Sequence, residues 1–123
     1  MNDNIIVAVT QCAERLGWTV QTDRPKENNV VIFEFYKFSP AGQDFGFSVG
    51  MEGNELANLV GNMEDYYNGF DADEETYLWL DGNGHGKNGA PYHMRDVLDD
   101  MEAVEDMIGE LLDAIRDVEI DIE

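Results

Sequence analysis

The chain has 123 residues, 43% of them hydrophobic, and sets 27 acidic side chains against 7 basic ones for a net charge of −20. That length and apolar content suit one domain with a core of its own and argue against a disordered chain. A charge of that size repels nucleic acid and anionic membrane surfaces, and favours a basic partner or cations.

Residues 3–16 read as an amphipathic helix with Ile5, Ile6, Val9, Cys12, Ala13 and Leu16 on one face. Asp3 is placed to cap its start and Gly17 to follow its end. Cys12, the single cysteine, falls on that apolar face and reads as a buried structural thiol. The opening Met-Asn-Asp carries no basic leader, and Ile5 to Val9 is too short for a signal core or a membrane span. The expectation is a soluble, cytoplasmic protein.

A short strand, Trp18 to Thr22, comes next, and Asp23 to Asn29 with Pro25 reads as a loop. Val30 to Phe38 is rich in β-branched and aromatic residues, the composition of a strand. Ser39 to Gly42 gives a turn, and Gln43 to Val49 the return strand. Alternation puts Phe45, Phe47 and Val49 on the same face as Val31, Phe33 and Phe35, and sends Glu34 to the solvent face. Gly46, between two Phe residues, fits a bulge or a close neighbour.

Asn54 to Asn68 is expected to form a second helix, capped by Asn54, stopped by Gly69, with Leu56, Leu59, Val60, Met63, Tyr66 and Tyr67 as its apolar face. Asp71 to Glu75 contains Asp-x-x-Glu, a carboxylate variant of the capping box, and Tyr77 to Leu80 reads as a helical turn or two, with a short strand as the alternative. Asp81 to Ala90 is a glycine-rich loop. A long helix follows from Pro91 to Val118, with Met94, Val97, Leu98, Met101, Val104, Ile108, Leu111, Leu112 and Ile115 in one apolar stripe. Residues 119–123 read as a frayed acidic tail. The fold class is therefore α+β in a single domain over 1–123: an N-terminal helix, a three-stranded antiparallel sheet, then acidic helices.

Chemistry-bearing patterns are few. The loop from Asp81 to Gly89 is glycine-rich, yet its Gly-Lys is followed by Asn88 and no clear strand precedes it, so it is not a P-loop. Asp81 and Asn83 open like a calcium loop, with Gly86 at the sixth position, but Tyr92 stands where a bidentate Glu is required. His85 and His93, with Asp81 or Asp96, are the one metal alternative, and their spacing matches no strong signature. Glu34 would be a candidate acid or base only if buried. No Ser–His or Cys–His arrangement is present, so we expect no catalytic residue, no metal site and no cofactor.

The carboxylates themselves remain. Residues 1–70 carry 10 acidic and 4 basic groups, net −6, whereas residues 71–123 carry 17 and 3, net −14. On the long helix Asp99, Asp106 and Asp113 repeat every seven residues, with Asp96, Asp100, Glu102, Glu110 and Asp117 alongside. Neighbours three or four apart lie ~5–6 Å from each other at Cβ, of the order of successive phosphates along a strand. Like charges at that spacing cost stability, and Asp is a poor helix former. A solubilising face is the plain reading; a surface made for a basic partner is the sharper one.

The layout and charge resemble the small acidic anti-CRISPR proteins that inhibit type II effector nucleases by mimicking DNA. The matching elements are the helix Asp3 to Leu16, the strands Trp18 to Thr22, Val30 to Phe38 and Gln43 to Val49, and the acidic helices after them, over about the first two-thirds of the chain. Asp71 to Glu75 is similar to their acidic patches, while the long C-terminal helix departs from the smallest members. Phage and plasmid anti-restriction DNA mimics fit the same description. The resemblance implies a non-enzymatic inhibitor whose carboxylates occupy a site where a nuclease reads DNA through Arg residues. The expected contact residues are Asp71, Asp73, Glu74, Glu75, Asp96, Asp99, Asp100, Asp106, Asp113 and Asp117. The alternatives are an acidic adaptor, or a homodimer sealed through the stripe of the long helix, and less so a metal binder using the His85/His93 loop.

Overall fold

The computed structural model describes residues 4–23, 29–53, 55–80 and 93–118, apart from the side chains of Asn4 and Met94. The element order is α1 (Asn4–Arg15), β1 (Thr19–Asp23), β2 (Val30–Phe38), β3 (Asp44–Glu52), α2 (Leu56–Gly69), α3 (Ala72–Leu78) and α4 (Met94–Arg116). This is the α+β arrangement expected from the sequence. Asp3, Asn54, the 24–28 loop, the glycine-rich loop with Asp81, His85 and Tyr92, and the 119–123 tail lie outside the described residues.

Helix α1 ends in a Schellman turn. Gly17 takes φ 92°, its N–H bonds to Glu14 O, and the Trp18 N–H bonds to Ala13 O, both at 3.0 Å. Only glycine adopts that φ without strain. The turn drops Trp18 into the core, where its ring meets Phe35, Phe45 and Phe47 edge-on. Lys37 closes the corner: its ammonium donates to Leu16 O at 2.6 Å and stands 5.7 Å from the Trp18 ring centre. A cation there answers the negative end of α1. Cys12 is buried beside this corner, and burial pushes its thiol pKa up, with Arg15 opposing. The first strand therefore starts at Thr19 rather than Trp18.

The sheet is antiparallel in the order β1-β2-β3. Phe35 pairs with Phe47, Phe33 with Val49, and Val31 with Met51. Phe33, Phe35, Phe45, Phe47, Val49 and Met51 are all buried, so the alternation assigned the inner face correctly. β3 runs three residues past Val49 and adds Met51 to the core. Glu34 lies on the other face, half-buried, accepting a hydrogen bond from the Tyr36 hydroxyl at 3.0 Å. Gly46 pairs with Tyr36, and a Cβ there would fall 2.6 Å from the Tyr36 ring. It is thus a close approach, not a bulge.

Helix α1 packs along β1, α2 along β3, and α4 against α1, α2 and α3. One hydrophobic cluster joins them, with Ile5 and Val9 from α1, Leu59 and Met63 from α2, and Met101 to Ile115 from α4. Tyr66 stacks on Phe47 with ring centres 4.5 Å apart. The Tyr67 ring lies against Gly109 of α4, where a Cβ would come within 3.1 Å of it.

Helix boundaries differ from expectation at α2 and α4, the latter running from Met94 to Arg116 between the caps His93 and Asp117 rather than from Pro91 to Val118. The N-cap of α2 is Glu55, with no side-chain cap bond, rather than Asn54. Gly69 is the last helical residue and takes no positive φ; the chain leaves the helix because Phe70 is extended. Asp71 does cap α3, but its Oδ1 accepts from the Asp73 N–H at 3.0 Å rather than from Glu74.

Candidate functional site

The contact surface expected from the sequence starts with α4. Val97, Met101, Val104, Ile108, Leu111 and Ile115 are wholly buried, so the apolar stripe is consumed by the chain's own core. That orients the rest of the helix. Asp99, Glu102, Asp106, Glu110, Asp113 and Asp117 are exposed, at steps of three or four residues. At 3.6 residues per turn they occupy about a quarter of the circumference and span about 27 Å. Asp96 is exposed at the first turn, to one side of this line.

Asp100 is not part of it. It is 4% exposed, on the buried side of α4. Its Oδ2 accepts from Ser39 Oγ at 2.5 Å and its Oδ1 from the Ala41 N–H at 2.9 Å. Ser39 Oγ in turn accepts from the Gln43 N–H at 2.9 Å, and the turn closes through Gly42 at φ 96°. A buried carboxylate needs such donors. Asp100 therefore holds the β2–β3 turn onto α4, and its assignment as a partner contact is withdrawn.

The rail differs along its length. Among the described residues, Asp99, Glu102, Asp106 and Glu110 have no ion-pair partner. At the C-terminal end Arg116 bridges Asp113 at 3.1 Å and also pairs with Glu64 of α2. Asp113 and the C-cap Asp117 stand at the negative end of the helix, where acidic groups are disfavoured. Asp96 stands at the positive end, where they are favoured.

The second acidic group surrounds α3. Asp71, Asp73 and Glu74 are exposed, and Glu75 is half-buried, accepting from Trp79 Nε1 at 3.3 Å. Asp73, Glu74 and Glu75 lie in the first turn of α3, so they also stabilise it. The end of α2 comes up beside them. A cleft of about 510 Å³ opens there, bounded by Asp65, Tyr66 and Phe70 on one side and Glu74, Glu75 and Leu78 on the other. The Tyr66 phenol is pushed up to about 12, by burial first and by the Glu75 charge second. Asp65, Glu102 and Glu110 were missing from the expected contact set. The two on α4 follow from its periodicity; Asp65 becomes a neighbour of α3 only through the tertiary fold.

His93 takes the N-cap position of α4, and the other members of the metal alternative lie outside the described residues except Asp96. No three His, Cys, Asp or Glu side chains converge as a metal set among the described residues. No helix described is long and apolar enough to cross a membrane. No family model, curated protein or solved structure matches the chain.

Proposed function

We propose that the protein is a non-enzymatic acidic inhibitor that occupies the nucleic-acid-binding surface of a basic protein, a CRISPR effector or restriction nuclease, in place of DNA phosphates. The observation that carries this reading is the line Asp99, Glu102, Asp106, Glu110: four exposed carboxylates on successive turns of one helix, with no cation of this chain paired to them among the described residues. Solubility asks only for charge, and mixed signs serve it well. A single-sign line, continued by Asp113 and Asp117 into a helix end that penalises it, serves attraction to a basic groove. Asp96 and the α3 carboxylates Asp71, Asp73, Glu74 and Glu75 extend the negative field beyond the line. The protein acts inside the compartment where such nucleases work, without a cofactor.

The experiment is inhibition of DNA cleavage by purified CRISPR effector and restriction nucleases, with and without excess duplex as competitor. The wild-type chain is expected to inhibit, and duplex or added salt to relieve it. The Asp99→Lys/Asp106→Lys/Asp113→Lys variant is expected to fold normally, since all three side chains are exposed, and to lose inhibition. A triple variant that inhibits as well as wild type removes the rail as the contact surface.

A further inference from the structure

The cleft between α2 and α3 has features that phosphate mimicry does not call for. Its apolar lining is Tyr66, Phe70 and Leu78. Leu78 is 62% exposed and its neighbour Tyr77 67%, so folding leaves two consecutive large apolar side chains of a seven-residue helix in water. The rim is acidic, with Asp65, Asp71, Glu74 and Glu75, and among the described residues no Lys or Arg lines the cleft.

Gly69, in the wall of this cleft, is not demanded by the backbone. Its φ is not positive, and a Cβ built on it meets nothing within 4 Å. Gly69 closes α2 as its last residue, where an alanine would fit the same backbone. What the missing side chain does at this position is leave the cleft open. Its volume, about 510 Å³, leaves room for a side chain, and the cleft is open to solvent.

We propose that the cleft seats one aliphatic or aromatic side chain of the partner protein, presented between Arg or Lys residues that meet the acidic rim. Charge complementarity fixes this occupant. A second copy of this chain would bring acidic residues to an acidic rim, and an uncharged peptide would bring no cation to its four carboxylates. The apolar lining supplies a salt-insensitive anchor beside a salt-sensitive rail, the usual division between a desolvated centre and a charged rim. The inference rests on the reading of the partner as a basic protein and adds the apolar residue that such a partner must carry next to its cations.

The test uses the full chain and two fluorescein-labelled peptides, Arg-Arg-Leu-Arg-Arg and Arg-Arg-Ser-Arg-Arg, followed by fluorescence anisotropy at low and high salt. The leucine peptide is expected to bind on the order of tenfold more tightly than the serine peptide, as burial of one aliphatic side chain implies. Gly69→Leu, which places a side chain in the cleft, and Leu78→Ser, which removes part of its apolar lining, are each expected to abolish that preference while binding of the serine peptide persists. Circular dichroism checks that both variants fold. Equal binding of the two peptides by the wild-type chain overturns the cleft as an apolar anchor site and leaves the inhibitor reading standing. Leucine preference in a chain that inhibits no nuclease supports the cleft and overturns the inhibitor reading instead. Leucine preference that survives both variants overturns the assignment to this cleft.

Discussion

Asp99 and Asp100 are adjacent in sequence and opposite in employment. Asp99 faces water, whereas Asp100 accepts bonds from Ser39 Oγ and the Ala41 N–H in the interior. Asp100→Ala strips both donors of their acceptor and is expected to cost about 1–3 kcal/mol. Asp99→Ala is expected to stay within about 0.5 kcal/mol of wild type, as exposed substitutions do. Urea denaturation of the two variants checks the contrast; equal midpoints would mean that the turn is not held by Asp100. The distinction was legible in the chain. Asp100 follows Val97 by three residues and precedes Val104 by four, so the period that buries those valines turns Asp100 inward too. Weighing acidic residues by type instead of by helical phase is what placed it on the rail. Asp65 was not legible in that way, because nothing local to α2 brings it beside α3.

At the scale of elements, the hairpin and the long helix were readable because each obeys one period over many residues. Alternation gave the inner face of β2 and β3, and the three-and-four rhythm gave the stripe of α4. The ends were less readable. β3 continues past Gly50 to Glu52 with its alternation intact, although glycine is a poor strand former, and α2 ends without the left-handed glycine expected at Gly69. Tyr77 and Leu78 are helical as expected, and both face water. The end of α4 offers a test of whether its charges serve the helix or something else. Asp117→Lys replaces an acidic group at the negative helix end by a basic one, and is expected to stabilise the fold by about 0.3–1 kcal/mol. The same change is expected to weaken nuclease inhibition. Thermal melts beside cleavage assays read both; a variant that is less stable than wild type contradicts the assignment of Asp117 as a charge held against the helix's own preference.

For the whole molecule, a net charge of −20 opposes compactness through self-repulsion, while the same charge draws a basic partner. Screening acts on both. Added salt is therefore expected to raise the melting temperature of the free protein and to lower its apparent affinity for a basic nuclease. The two trends have opposite sign in one buffer series, measured by calorimetry and by inhibition. A melting temperature that falls with salt would mean that attractive surface pairs, such as Arg116 with Glu64 and Asp113, outweigh the repulsion. The asymmetry between −6 in the first 70 residues and −14 in the last 53 is carried mainly by α3 and α4 on the described part of the chain.

The burial of the α4 stripe has a mechanical corollary. Seven side chains from Val97 to Ile115 are locked into the core, so the helix can neither roll nor bow without opening it. The six carboxylates from Asp99 to Asp117 are thereby graduations on a stiff ruler, about 27 Å long and spaced roughly 5 Å apart. Duplex DNA can flex to suit a groove; this ruler cannot. On the proposed reading it is expected to favour basic proteins whose cation rows are straight and of matching pitch over those whose channel requires the nucleic acid to bend.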